Sequence, residues 1–145
     1  MKPDRGLAIG VFDLFHVGHL RYLQCARRQC RELIVAVTPD CIAGQVKGRK
    51  PVIAEEQRME IVRSLGFVAE ARLLPSTTEE TVTAAIWISG WDIQHVVAGG
   101  GWQGSERWGR LVPALARQGI TVDFAPHTDE VSTTQIIETV CQRFG

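Results

Sequence analysis

The chain has 145 residues, 45% of them apolar, with 16 acidic and 16 basic side chains in balance. That is enough apolar material for one domain's core, while zero net charge supplies no long-range attraction to nucleic acid or an anionic membrane. No apolar run reaches bilayer length, and MKPDRGLAIG at the N-terminus has no long apolar segment after its basic residues. The expectation is a cytoplasmic protein with a single domain over residues 1–145 and neither nucleic acid nor membrane as partner.

The first predicted strand, LAIGVF (7–12), runs into GVFDLFHVGH (10–19), and a helix is expected over 18–31. His16 and His19 therefore flank a helix N-terminus, where unpaired N–H groups already favour an anion. Two imidazoles three residues apart suit a metal, a proton shuttle or a pair of donors to one anion; the plainer alternative is that His16 caps the helix and His19 is half-buried. Gly18 lets the backbone lie close to a ligand. Metal ligation is disfavoured because no further His, Cys or carboxylate cluster completes the shell.

A second strand, LIVAVT (33–38), leads to the basic segment VKGRKPVIAEEQRMEIVRSL (46–65), whose lysines and arginines taken alone describe a solvated turn before a helix at 55–66. ARLLP (71–75) is the third strand, and Ser76-Thr77-Thr78-Glu79 has the spacing of a capping box for a helix at 78–89. HVVAG (95–99) and ITVDFA (120–125) complete the strands, with helices expected at 105–118 and 133–143. This alternation predicts an α/β fold: a single Rossmann-like domain whose doubly wound five-stranded parallel sheet carries helices on both faces and binds ligands at the strands' carboxyl ends. Residues 99–104, GGGWQG, match a dinucleotide fingerprint with Asp123 as its ribose acid. Against that reading, the match falls in the fourth strand-helix unit, too little chain follows it, and Trp102 sits where a pyrophosphate needs room. Cys25, Cys30, Cys41 and Cys141 contain no C-x-x-C pair and read as reduced core thiols, with Cys41 the exposed one.

GVFDLFHVGH resembles the nucleotide-binding signature of the cytidylyltransferase-like nucleotidyltransferases. VKGRKPVIAEEQRMEIVRSL resembles the basic loop and helix of glycerol-3-phosphate cytidylyltransferases and is also similar to that stretch of heptose-phosphate adenylyltransferases. HTDEVSTTQII (127–137) resembles the segment that opens the family's last helix. The resemblance implies attack by an acceptor phosphate on the α-phosphorus of a nucleoside triphosphate, releasing pyrophosphate without a general base. It implies CTP and a small phosphorylated or phosphonylated alcohol as substrates, Mg²⁺ carried by the triphosphate, a homodimer, and a domain that can be fused to another.

Carried onto this chain, the resemblance makes His16 and His19 phosphate donors, and Lys47 with Arg49 or Lys50 a mobile positive charge. Arg58 becomes a cation near the phosphates. Gly10, Val11, Phe12 and Asp13 shape the turn; Gly99, Gly100, His127, Ser132, Thr133 and Thr134 bind nucleotide or phosphate. The chain departs from the pattern at Gly100 and Gly101, where the cytidylyltransferases carry acidic residues, at His127, where they carry arginine, and at Gly66, where a basic residue is expected. These departures keep open an adenylyltransferase acting on a sugar phosphate, and a nucleotide-binding module with weakened catalysis.

Overall fold

The computed structural model describes residues 1–128 and 131–145; Asp129 and Glu130, inside the HTDEVSTTQII segment, lie outside it. The elements run β1 (Arg5–Gly10), α1 (Val17–Arg28), β2 (Glu32–Val37), α2 (Asp40–Lys47), α3 (Glu55–Arg63), β3 (Glu70–Leu73), α4 (Thr81–Gly90), β4 (His95–Ala98), α5 (Glu106–Ala116), β5 (Thr121–Phe124) and α6 (Thr133–Phe144). The five strands pair in parallel in the order β3-β2-β1-β4-β5. Strand order therefore reverses at β1, and the gap between the carboxyl ends of β1 and β4 is the topological switch point where such sheets bind ligands.

The central strands are apolar at consecutive positions because both faces of the sheet are covered. In register, Leu7 lies beside Ile34 and Val96, and Ala8 beside Val35 and Val97. The first set packs with Ile88, Leu111 and Leu115 from α4 and α5, the second with Leu23, Ala26 and Val62 from α1 and α3. Each fully buried leucine or valine contributes about 1.5–3 kcal/mol relative to exposure.

Three local expectations are corrected. β1 stops at Gly10 because Phe12 and Leu14 both adopt left-handed backbone, φ 56° and 50°, which no strand accommodates. The Ser76–Glu79 capping box does not form: α4 begins at Thr81 after an uncapped Glu80. Ser76 instead accepts the Trp87 indole N–H at 3.0 Å, and Glu79 binds two arginines of α5. Of the cysteines Cys30 is fully buried and Cys25 partly so, whereas Cys141, like Cys41, is exposed and not in the core. Among the described residues no helix is long and apolar enough to cross a membrane.

Candidate active site

A cleft of about 360 Å³ opens at the switch point, walled by the first turns of α1 and α6, the 99–102 turn after β4 and the 125–128 segment after β5. Two helix N-termini therefore face one space, and each brings a partial positive charge with unpaired N–H groups.

His16 is the N-cap of α1. Its Nδ1 accepts from the Gly18 N–H at 3.1 Å, and His19 Nδ1 accepts from the His16 N–H at 3.2 Å, a capping box built from two imidazoles. With Nδ1 an acceptor in both rings, the ring proton of the neutral form sits on Nε2 in both. The rings stack with centroids 3.8 Å apart, and Phe12 and Phe15 flank His19, each 5.4 Å away. Burial, then the adjacent His16 ring and Lys47, hold His19 down to about 4, and burial also lowers His16. Near neutral pH the pair is thus two uncharged N–H donors. His16 Nε2 is buried without a hydrogen-bond partner among the described residues, which leaves its N–H to be offered to a ligand. Capping and donation, alternatives on sequence alone, use different nitrogens of the same rings.

Gly18 is fixed by its neighbour: a Cβ there would stand 2.9 Å from His16 Cε1. Gly100 is fixed by the backbone, since a Cβ would fall 2.8 Å from the His127 N and closer still to the Ala125 carbonyl oxygen. That contact seats the 99–102 turn against the 125–128 segment. The local structure also does not match the dinucleotide fingerprint. Of its three glycines only Gly101 lies in the 3₁₀ turn Gly100–Trp102, Gly104 falls beyond that turn, α5 starts only at Glu106, and the Asp123 carboxylate accepts from Gln29 outside the cleft.

Among the remaining predicted residues, Lys47, Gly99, His127, Ser132, Thr133 and Thr134 line the cleft. Ser132 caps α6 through the Gln135 N–H at 3.1 Å, and Thr133 Oγ1 donates to the Asp13 carbonyl at 2.8 Å, tying α6 to the signature turn. Arg49 and Lys50 line a smaller adjoining hollow with Val11, Asp13, Thr133 and Thr134. Gly10 and Phe12 lie beneath the site: the buried Phe12 ring sits where a Gly10 Cβ would be, 2.8 Å from Cζ, and supports His19. Asp13 is buried, with its two carboxylate oxygens accepting from the Val52 and Ile53 N–H groups at 2.8 and 2.9 Å.

Arg58 is a correction. It is wholly buried and away from the cleft, donating to the carbonyls of Ile53, Val11 and Thr38 at 2.7–2.8 Å and to Asp40 at 2.6 Å. These contacts use four of its five N–H groups, so it braces the loop ends and does not line the cleft. Tyr22, one helical turn beyond His19, also lines the cleft and was not anticipated, although its i+3 spacing places it on the same face. Its hydroxyl donates to the Val97 carbonyl at 2.5 Å and accepts from the Ile9 N–H, joining β1 to β4 beneath the site. Among the described residues no group of three or more His, Cys, Asp or Glu is placed to hold a metal ion.

A family model described as cytidylyltransferase-like matches residues 7–139. The chain is 32% identical over 136 residues to the bifunctional protein HldE of Trichlorobacter lovleyi, covering 93% of this chain and 26% of that protein. It is 30% identical over 141 residues to the protein of the same name from Chromohalobacter salexigens, covering 94% and 27%. It thus spans about a quarter of the length of the curated relatives it matches. A solved lipopolysaccharide core biosynthesis protein from Thermoplasma volcanium superposes with a TM-score of 0.69 at 26% identity, covering 87% of this chain and 98% of that one.

Proposed function

The chain belongs to the cytidylyltransferase-like family and is a nucleotidyltransferase of that family, and from that premise we propose that it transfers AMP from ATP to the phosphate of a sugar phosphate. The observation that carries the chemistry is the partnerless Nε2 of His16, beside His19, between two helix N-termini. The sugar acceptor rests on similarity to the HldE proteins and to a lipopolysaccharide core biosynthesis protein. ATP is favoured over CTP because Gly100 and Gly101 stand where the cytidylyltransferases carry acidic residues, and Gly100 leaves no room for any side chain.

In this reading an acceptor phosphate oxygen forms a bond to the α-phosphorus while the bond to the bridging oxygen breaks, and pyrophosphate leaves in line. The nucleophile is already ionised, so no base is needed. His16 and His19 donate their Nε2 protons as hydrogen bonds to phosphoryl oxygens as charge develops, without surrendering them. Lys47 lies over the α-phosphate, and the N-terminus of α6 receives the departing phosphates. Mg²⁺ enters as the triphosphate's counter-ion. Among the described residues no cluster competes for it, and Asp13, the carboxylate of the signature, already accepts from two backbone donors.

A second reading, CMP transfer from CTP to a small phospho-alcohol, is supported by the likeness of residues 46–65 to glycerol-3-phosphate cytidylyltransferases. The test incubates the protein and Mg²⁺ with ATP, CTP, GTP or UTP against sugar phosphates and glycerol 3-phosphate, following pyrophosphate release and the product by ³¹P NMR. Pyrophosphate from ATP and a sugar phosphate is expected. Preference for CTP with glycerol 3-phosphate selects the second reading, and tight nucleotide binding without turnover reduces the chain to a binding module.

A further inference from the structure

Tyr22 is the only tyrosine of the chain, and its hydroxyl stands where the sheet divides. β1 stays paired with β2 as far as Gly10 and Val37, and β4 with β5 as far as Ala98 and Phe124, but β1 and β4 part after Ala8 and Val97. Just beyond that last pair the Tyr22 hydroxyl accepts the Ile9 N–H at 3.0 Å and donates to the Val97 carbonyl at 2.5 Å, with the Ile9 carbonyl a more distant acceptor at 3.3 Å. A side chain of α1 thus makes the kind of link between neighbouring strands that a backbone rung makes elsewhere in the sheet. The ring is held as well, stacked on Phe12 with centroids 6.3 Å apart and planes 16° from parallel. Burial raises the phenol pKa well above its ordinary value, so the proton stays available to Val97.

The two walls of the cleft that this hydroxyl joins differ in chemistry. On the α1 side stand His16, Gly18 and His19, with the start of α6 facing the same space, and these offer donors to phosphate oxygens. β4 runs into the other wall, Gly99 to Trp102, which presents glycine backbone and an indole and carries no charged side chain, a surface suited to an uncharged base and ribose. Resting on the nucleotidyl-transfer reading above, we propose that Tyr22 is a positioning residue whose hydroxyl is a strut: it sets the distance between the phosphate wall and the nucleoside wall, so that one nucleotide fits both at once. A nucleoside triphosphate is two ligands on a short linker, and it gains from its second contact only when the spacing of the two sites matches that linker. Without the hydroxyl, α1 loses this hold on β4, and each wall keeps its own groups while their spacing drifts. His16 and His19 remain set by their own backbone bonds, so the donors themselves stay in order.

The test compares wild type with Tyr22→Phe in affinity for ATP, which spans both walls, and for tripolyphosphate and adenosine, each of which meets one. ATP should bind about tenfold more weakly to Tyr22→Phe, with tripolyphosphate and adenosine within about twofold of wild type. KM for ATP should rise in step while kcat stays within about threefold. 4-Aminophenylalanine at position 22, which can both donate and accept, should recover most of the ATP affinity. If Tyr22→Phe fails to fold, 4-fluorophenylalanine, which occupies the hydroxyl's space without donating, takes its place. Equal weakening of all three ligands, no weakening of any, or a fall in kcat at constant KM overturns the proposal and leaves Tyr22 a packing residue. Tripolyphosphate that does not compete with ATP in the wild type overturns it too, because the phosphates then sit elsewhere. Absence of pyrophosphate release from every substrate pair sinks the transfer reading alone, and the ratio of ATP to tripolyphosphate affinity still decides the strut.

Discussion

An imidazole that caps a helix through one nitrogen has a second to offer, and at His16 and His19 that second atom is a donor. The two duties can be separated by substitution. Asparagine is among the best N-cap residues, so His16→Asn keeps an acceptor for the Gly18 N–H while its side chain falls short of the cleft. Turnover should drop roughly 10²–10³-fold, with the urea midpoint close to wild type; retained turnover would confine His16 to capping. Acid titration gives an independent check on His19. Its folded pKa of about 4 lies below the usual 6.5 of an unfolded histidine, so between those values the unfolded chain binds the extra proton and stability falls as pH falls. The contribution is complete above about pH 6.5 and lost on descending through about 4. Chemical denaturation from pH 7 to 4 should show this loss, and His19→Gln should flatten it. The HxGH spacing at a helix start was legible from sequence, with capping and anion donation as alternatives, but the assignment of protons to Nε2 was not, because it depends on which backbone N–H each ring meets.

At the scale of elements, the site is a set of helix ends fastened by two buried charged residues. Asp13 grips residues 52 and 53, and Arg58 joins Val11, Thr38, Ile53 and Asp40, so the turn before α1, the end of β2, the start of α2 and the run into α3 share one bracket. Lys47, at the last residue of α2, inherits its position from that bracket. Arg58→Met removes a buried cation and strands three carbonyls and Asp40, and should cost roughly 3–5 kcal/mol in stability. Asp13→Asn presents an amide donor to one of two backbone donors and should cost about 1–3 kcal/mol, with KM for nucleotide rising because the basic loop shifts. An Asp13→Asn protein with unchanged KM would detach the loop's position from binding. Arg58 was misplaced from sequence because an arginine on a helix after a basic loop reads as another phosphate ligand; only its tertiary neighbours reveal four acceptors already waiting. Helix α2 was missed for a different reason: DCIAGQVK spans eight residues, contains Gly44 and buries only Ala43, leaving little periodic signal.

For the whole molecule, the parallel sheet was legible because strands covered on both faces are written as unbroken apolar runs, as in LIVAV. The strand order, with its reversal at β1, needed the structure. Nothing in LAIGVF or HVVAG states that these two strands are neighbours. The order matters because it brings α1 and α6, over a hundred residues apart, to one cleft. Helix α6 has no fully buried residue, and the Thr133 hydroxyl ties its first turn to Asp13. A triphosphate bridging the two helix ends should therefore order α6 more than any other element. Hydrogen exchange of the 133–144 amides should slow on adding nucleotide and Mg²⁺, and at a ligand concentration of 100 Kd global stability should rise by about 2.7 kcal/mol. Slowing confined to α1 would place the phosphates away from Ser132–Thr134.

The two left-handed residues between β1 and α1 carry an implication for engineering. Phe12 and Leu14 hold a backbone that costs side-chain-bearing residues about 1–3 kcal/mol each, and between them Asp13 reaches back to residues 52 and 53. A search for thermostable variants should therefore enrich glycine or asparagine at position 14, where relief of the backbone is cheapest. Those variants should melt later yet turn over more slowly, since a relaxed turn holds the Asp13 latch and the His16 cap less firmly. Heat resistance and catalytic speed would then be opposed at one peptide turn, and recombining position 14 with remote core changes should raise the melting temperature without that loss.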